Sequence, residues 1–173
     1  VQSKISVTLG DHVEHLNLLD FSKPEKGRID GRSVLVYGYP KANELDYMQG
    51  DAIPEYQGTC ALTSIANLLT QANLPTSEAD VVQLAIDNRW AVTDPAVSAY
   101  QRGGSNYVQQ QALLDSYGLR NALLDGYDEN ALANMVRSGR GVLVGLNCGR
   151  LWDDPAYLDD GSVNHVVTVT GAA

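Results

Sequence analysis

Long apolar runs are missing from this chain, since none approaches the roughly 18 residues a bilayer-spanning helix needs. No basic-then-apolar start resembles a signal peptide either, so the sequence as it stands is expected to be soluble and without a membrane segment. Positive charge is scarce, with 12 Lys and Arg against 21 Asp and Glu and a net charge of -9. Phosphate backbones and anionic lipid repel such a surface, which makes nucleic acid a poor partner. Cysteine is scarcer still. Cys60 and Cys148 are the only two, too few for a disulfide framework and without the CxxC spacing of a zinc site. One Cys60–Cys148 bridge remains open to this chain, as do two free thiols. Histidine is limited to His12, His15 and His165. No repeat or low-complexity tract occurs, and no cofactor or metal is implied. The start at Val1 rather than Met is what a piece of a longer protein would have.

What is present is globular. With 44% hydrophobic and 19% charged residues over 173 positions, the chain has the material for one ordinary domain and no call for long disorder. Lys4 to Leu9 alternate weakly, and Ser33 to Tyr37 form a β-branched run. They predict two short strands around a loop spanning Lys23 to Asp30. From Pro40 to Thr59 no period holds, which predicts an irregular approach. Residues 1–56 thus form an N-terminal segment ahead of a core over 57–173, within one compact body.

That core opens on the stretch from Cys60 to Ala72, where Leu62, Ile65, Ala66 and Leu69 stand at helical spacing and predict a buried amphipathic helix ended by Asn73 and Pro75. A second helix is predicted from a Thr76 or Ser77 cap to about Ile86, and a third from Tyr107 to Tyr117, ended by Gly118. Leu119 to Leu124 reads as a strand, Asp128 to Ser138 as a helix capped by Asp128, and Gly141 to Leu146 as a buried strand. Val163 to Thr170 is β-branched and sets His165 near the start of a last strand.

The chemistry concentrates at Cys60. A thiol attacks a carbonyl as its thiolate, and a helix N-terminus favours that anion through unpaired N–H groups and the helix dipole. Gly58 allows a tight turn just upstream, and Gln57 carries an amide able to join the Cys60 N–H around a developing oxyanion. His12 and His15 fall in an expected surface segment, which leaves His165 as general base. Cys148, in Asn147-Cys148-Gly149, follows a strand rather than opening a helix, so its thiol is expected to be inert. A lone cysteine on an apolar helix is more often a small buried hydrophobe, and His165 has a bland counterpart in a core histidine bonded to a carbonyl. The acidic loop of Asp153, Asp154, Asp159 and Asp160 lacks the spacing of an EF-hand. With Trp152 and Tyr157, it is expected to wall the cleft and to prefer cationic or aromatic groups.

The stretch from Gln57 to Leu69, with Gln57-Gly58-Thr59-Cys60-Ala61-Leu62 at its start, resembles the nucleophile helix of the C39-like peptidases, papain-like cysteine enzymes. Asn164-His165-Val166-Val167-Thr168-Val169-Thr170-Gly171 resembles their histidine strand, and Gly103-Gly104-Ser105 fits the start of a helix between them. The resemblance covers residues 57–171 and implies an α+β papain-like fold, with the Cys60 helix packed on an antiparallel sheet that carries His165. It implies a hydrolase acting on a peptide or amide bond, with Gln57 as oxyanion donor. It also implies an Asp or Asn beyond the histidine strand to orient the imidazole, a position past Ala173. Relatives of this type include toxin or effector domains of larger bacterial secreted proteins, delivered into the cytoplasm of rival cells and neutralised by an immunity protein. Two other readings remain: a leader-peptide or self-processing peptidase, and an inactive module that only binds peptides.

Overall fold

The computed structural model describes residues 4–9, 24–38, 47–72, 74, 76–126 and 128–173. In chain order the elements are β1 (Lys4–Leu9), β2 (Glu25–Ile29), β3 (Arg32–Gly38), α1 (Cys60–Gln71), α2 (Glu78–Asp87), α3 (Tyr107–Ser116), β4 (Arg120–Asp125), α4 (Glu129–Arg137), β5 (Val142–Leu146), α5 (Cys148–Leu151), β6 (His165–Val169) and β7 (Gly171–Ala172). The class is α+β, with every strand pair antiparallel. The helix starts follow their local chemistry. Ser77 accepts from the Asp80 N–H, Asn106 and Gln109 form a reciprocal capping box, and Asp128 accepts from the Ala131 N–H.

A four-stranded sheet runs in the order β4-β1-β5-β6, and a smaller one in the order β2-β3-β7. The first strand is therefore interior. Ile5 pairs with Leu124 on one side and Val144 on the other. β5 is buried on both faces, and alternation splits its side chains between two cores. Leu143 joins the larger one, with Leu62, Ile65, Leu69, Val81 and Leu113, while Val142 and Val144 pack with Val136 of α4.

Helix α1 is enclosed more completely than a surface amphipathic helix. Besides the expected stripe, Ala61, Thr63, Ser64, Leu68 and Gln71 are buried, because α2, α3 and β6 pack around it. Fully burying each large aliphatic side chain is worth about 1.5–3 kcal/mol, so this helix is the fixed post of the structure.

Two local expectations need correction. Lys23 to Asp30 is not all loop: residues 25–29 form β2, which pairs with β3 across Asp30-Gly31. Asp30 and Gly31 both have positive φ, 49° and 77°, the backbone twist that a two-residue hairpin loop demands. Lys26, Gly27 and Arg28 carry no apolar alternation, so only the Asp-Gly pair signalled the hairpin. Cys148 does open a helix, the single turn α5, whose Asn147 cap accepts from the Arg150 N–H. His12, His15, Asn73 and Pro75 lie outside the described residues.

Candidate functional site

Cys60 is the first residue of α1, half-buried, with Thr59 ahead of it as N-cap. The approach to it is held by backbone. Gln57 N–H donates to the Ala99 carbonyl at 2.9 Å and Gly58 N–H to the Arg102 carbonyl at 2.8 Å. Gly58 has no positive φ; glycine is needed for close approach instead. A Cβ there would lie 2.6 Å from the Tyr100 carbonyl oxygen and 2.9 Å from that of Arg102. Thr59 is anchored inward, its Oγ1 accepting from the Gly50 N–H and meeting Thr63 Oγ1, which donates to the buried Glu78 carboxylate at 2.5 Å.

His165 opens β6, and α1 is tied to that strand's outer edge. Ser64 Oγ donates to the Val166 carbonyl at 3.1 Å, and Thr168 Oγ1 donates to the Ser64 carbonyl at 2.8 Å. Ser64 stands one helical turn after Cys60, so these two bonds set how far the thiol sits from the histidine strand. The backbone groups of Val166 and Ala61 favour the Cys60 thiolate. Burial opposes them and prevails, pushing the thiol above its ordinary value. Burial likewise lowers His165, whose ring packs at a tilt against Trp152, centroids 5.5 Å apart. Both shifts favour a neutral thiol and a neutral imidazole.

Cys60 and His165 line one cavity of about 460 Å³, at the N-terminal end of α1 and the start of α3. Gln49 and Gln110 also line it. Gln57 does not appear among its described walls, and its Nε2 points at the Pro54 carbonyl, 3.5 Å away. Gln49 is tied to the segment ahead of Cys60 by a 2.7 Å bond from its Nε2 to the Gln57 carbonyl. In sequence it is one more polar residue in a turn-rich stretch, and only the folding back of 49 onto 57 brings it to the site.

Cys148 and Cys60 are both free thiols. The Cys148 thiol faces the Tyr157 carbonyl at 3.6 Å. The acidic loop also departs from its expected place, because none of Asp153, Asp154, Asp159 and Asp160 is among the described residues lining the cavity. Three of them serve the loop itself: Asp154 accepts from the Ala156 N–H, Asp160 from the Ser162 N–H and Asp159 from Asn164. Asn164 and Asn147 are similarly occupied. Asn164 bonds the Cys148 N–H and the Tyr157 carbonyl, and Asn147 bonds the Leu158 and Ser162 carbonyls. Among the described residues no carboxylate or amide hydrogen-bonds the His165 ring, and no group of three His, Cys, Asp or Glu could hold a metal ion.

No protein-family model, curated protein or solved structure matches the chain. The chemistry of the cavity must therefore carry the functional reading.

Proposed function

We propose that the chain is a papain-like cysteine peptidase or related amidohydrolase, with Cys60 as nucleophile and His165 as general base. One observation carries this reading: a thiol at the N-terminus of a buried helix and the only histidine of residues 57–173 open on the same cavity. The two are 105 positions apart in sequence, so their meeting is not a by-product of local structure.

In the reaction, neutral His165 takes the thiol proton as the Cys60 sulfur bonds to the substrate carbonyl carbon. The Cys60 N–H and the Gln49 amide are the donors suited to the oxyanion. Collapse breaks the C–N bond, and the imidazolium returns its proton to the leaving amine. Water, deprotonated by His165, then attacks the thioester, and the sulfur leaves with that proton. A lowered imidazole suits this general-base route, because the base is neutral before substrate arrives.

The proposed setting is a toxin or effector domain within a larger bacterial secreted protein, with an immunity protein as partner; it rests on the resemblance of the Cys60 and His165 segments alone. A second reading, a peptide-binding module with an inert thiol, is favoured by the raised Cys60 and by the prior engagement of Asn147 and Asn164. Turnover separates the two. Hydrolysis of a mixed peptide library should fall at least about a hundredfold in Cys60→Ser and in His165→Ala, and should persist in Cys148→Ser. Absence of turnover by the parent chain, or turnover unaffected by Cys60→Ser, refutes the peptidase reading.

A further inference from the structure

Helix α1 begins unlike the other helices. Ser77, Asn106, Asp128 and Asn147 have extended backbone at the starts of α2 to α5, and each side chain accepts from an N–H of its own helix. Threonine is well suited to that task, yet Thr59 makes no such bond, and its φ of -85° and ψ of 19° leave the extended region. Its hydroxyl is committed elsewhere. The Gly50 N–H can only donate, and does so to Thr59 Oγ1 at 3.1 Å. Thr63 gives its proton to Glu78 at 2.5 Å, so in the 3.4 Å contact between the two hydroxyls Thr59 is the donor. The chain of bonds ends on Glu78, a carboxyl only 6% exposed at the start of α2.

The diverted hydroxyl matters because Cys60 is the next residue. A capping side chain normally takes the N–H of the second or third helical residue, here Ala61 or Leu62. Backbone groups of Ala61 and Cys60 favour the Cys60 thiolate, and both residues line the cavity. A cap from Thr59 would therefore draw on the donors that serve the sulfur. We propose that Glu78 is a positioning residue for the nucleophile: through Thr63 it holds the Thr59 hydroxyl off its own helix and keeps the first N–H groups of α1 open to the Cys60 sulfur. That this serves catalysis rests on the peptidase reading; the effect on the thiol does not.

The test reads the thiol without turnover. Iodoacetamide alkylation of Cys60 in the intact chain is followed by mass spectrometry of its peptide at about pH 8, below the ordinary thiol pKa, where the rate follows the thiolate fraction. Glu78→Gln still accepts from Thr63 and should alkylate within about twofold of the parent. Exchanging both partners for apolar groups, Thr63→Val with Glu78→Met, cuts the tie at little cost in stability and releases Thr59 to cap. Alkylation is expected to slow about fivefold, the worth of one cap. Adding Thr59→Val, which has no hydroxyl to cap with, should bring the rate back to within about twofold of the parent. Mere loosening of the site would expose the thiol and speed the reaction, and loss of the Glu78 charge would speed it too. Should the double variant not fold by circular dichroism, Glu78→Met alone takes its place, with and without Thr59→Val. The proposal is overturned if the cut variants alkylate as fast as the parent or faster, if Glu78→Gln slows as much as they do, or if adding Thr59→Val leaves the slowing in place. Absence of peptide hydrolysis with this pattern intact would instead count against the peptidase reading alone.

Discussion

Gly58→Ala tests how the nucleophile is positioned. The added methyl would lie 2.6 Å from the Tyr100 oxygen, 2.9 Å from the Arg102 oxygen and 3.2 Å from the Gln101 carbonyl carbon. Ordinary carbon–oxygen contacts begin near about 3.3 Å, so the segments must separate by roughly half an ångström or more. All three obstacles are backbone and none can rotate away. Separation also strains the 2.8 Å bond from Gly58 N–H to the Arg102 carbonyl. Overpacking of this kind costs about 1–3 kcal/mol and the weakened bond about 1 kcal/mol. At about 2–4 °C per kcal/mol for a chain of this length, thermal unfolding should drop by roughly 5–15 °C. Because Cys60 follows two residues later, a shift approaching 1 Å should cost about a hundredfold in kcat/KM. Circular-dichroism melting and peptide hydrolysis read the two effects. A variant melting within a degree or two of the parent, with kcat/KM within twofold, would show that the packing of Gly58 on residues 100–102 does not set the site.

The pH profile gives a second check. His165 is lowered from 6.5 by burial, so the acid limb of kcat/KM should fall at a pH below that of an ordinary histidine. Cys60 is raised from 9.0 by burial, so its alkylation without substrate should keep rising through pH 9; a plateau below neutrality would instead reveal a preformed thiolate–imidazolium pair. Ser64→Ala removes the bond to the Val166 carbonyl and should destabilise the chain by about 1 kcal/mol, with a larger proportional loss in kcat/KM than in Cys148→Ser; equal activity in both variants counts against helix-to-strand register as the positioning device. Glu78 is raised by burial, with Asp51 adding to it and the Thr63 bond opposing. Its folded pKa exceeds the unfolded one, so its favourable contribution is present at low pH and lost as pH rises through the folded value. Glu78→Gln, which still accepts from Thr63, should leave the melting temperature unchanged near pH 4 and raise it near pH 8, and a lower melting temperature near pH 8 would contradict this.

Sequence by itself determined most of the elements, because their signals are local. The apolar period of 62, 65, 66 and 69 required a buried face on α1. Ser77 and Asp128 sit where unpaired N–H groups need an acceptor, and the β-branched runs at 33–37 and 142–146 suit pleated strands. The same reading singled out Cys60 at a helix start and His165 at a strand start, since both positions are properties of neighbouring residues. What only the tertiary structure decided is non-local. It inserted β1 between β4 and β5, fastened Ser64 to Val166 across 102 positions, and folded Gln49 onto Gln57, so that Gln49 is among the described residues lining the cavity and Gln57 is not. Gln110 had no sequence signal at all. Only the fold puts it on the wall of the cavity that Cys60 and His165 share. Periodicity reports which face of an element is buried, but which distant element covers that face depends on packing that a local pattern does not encode.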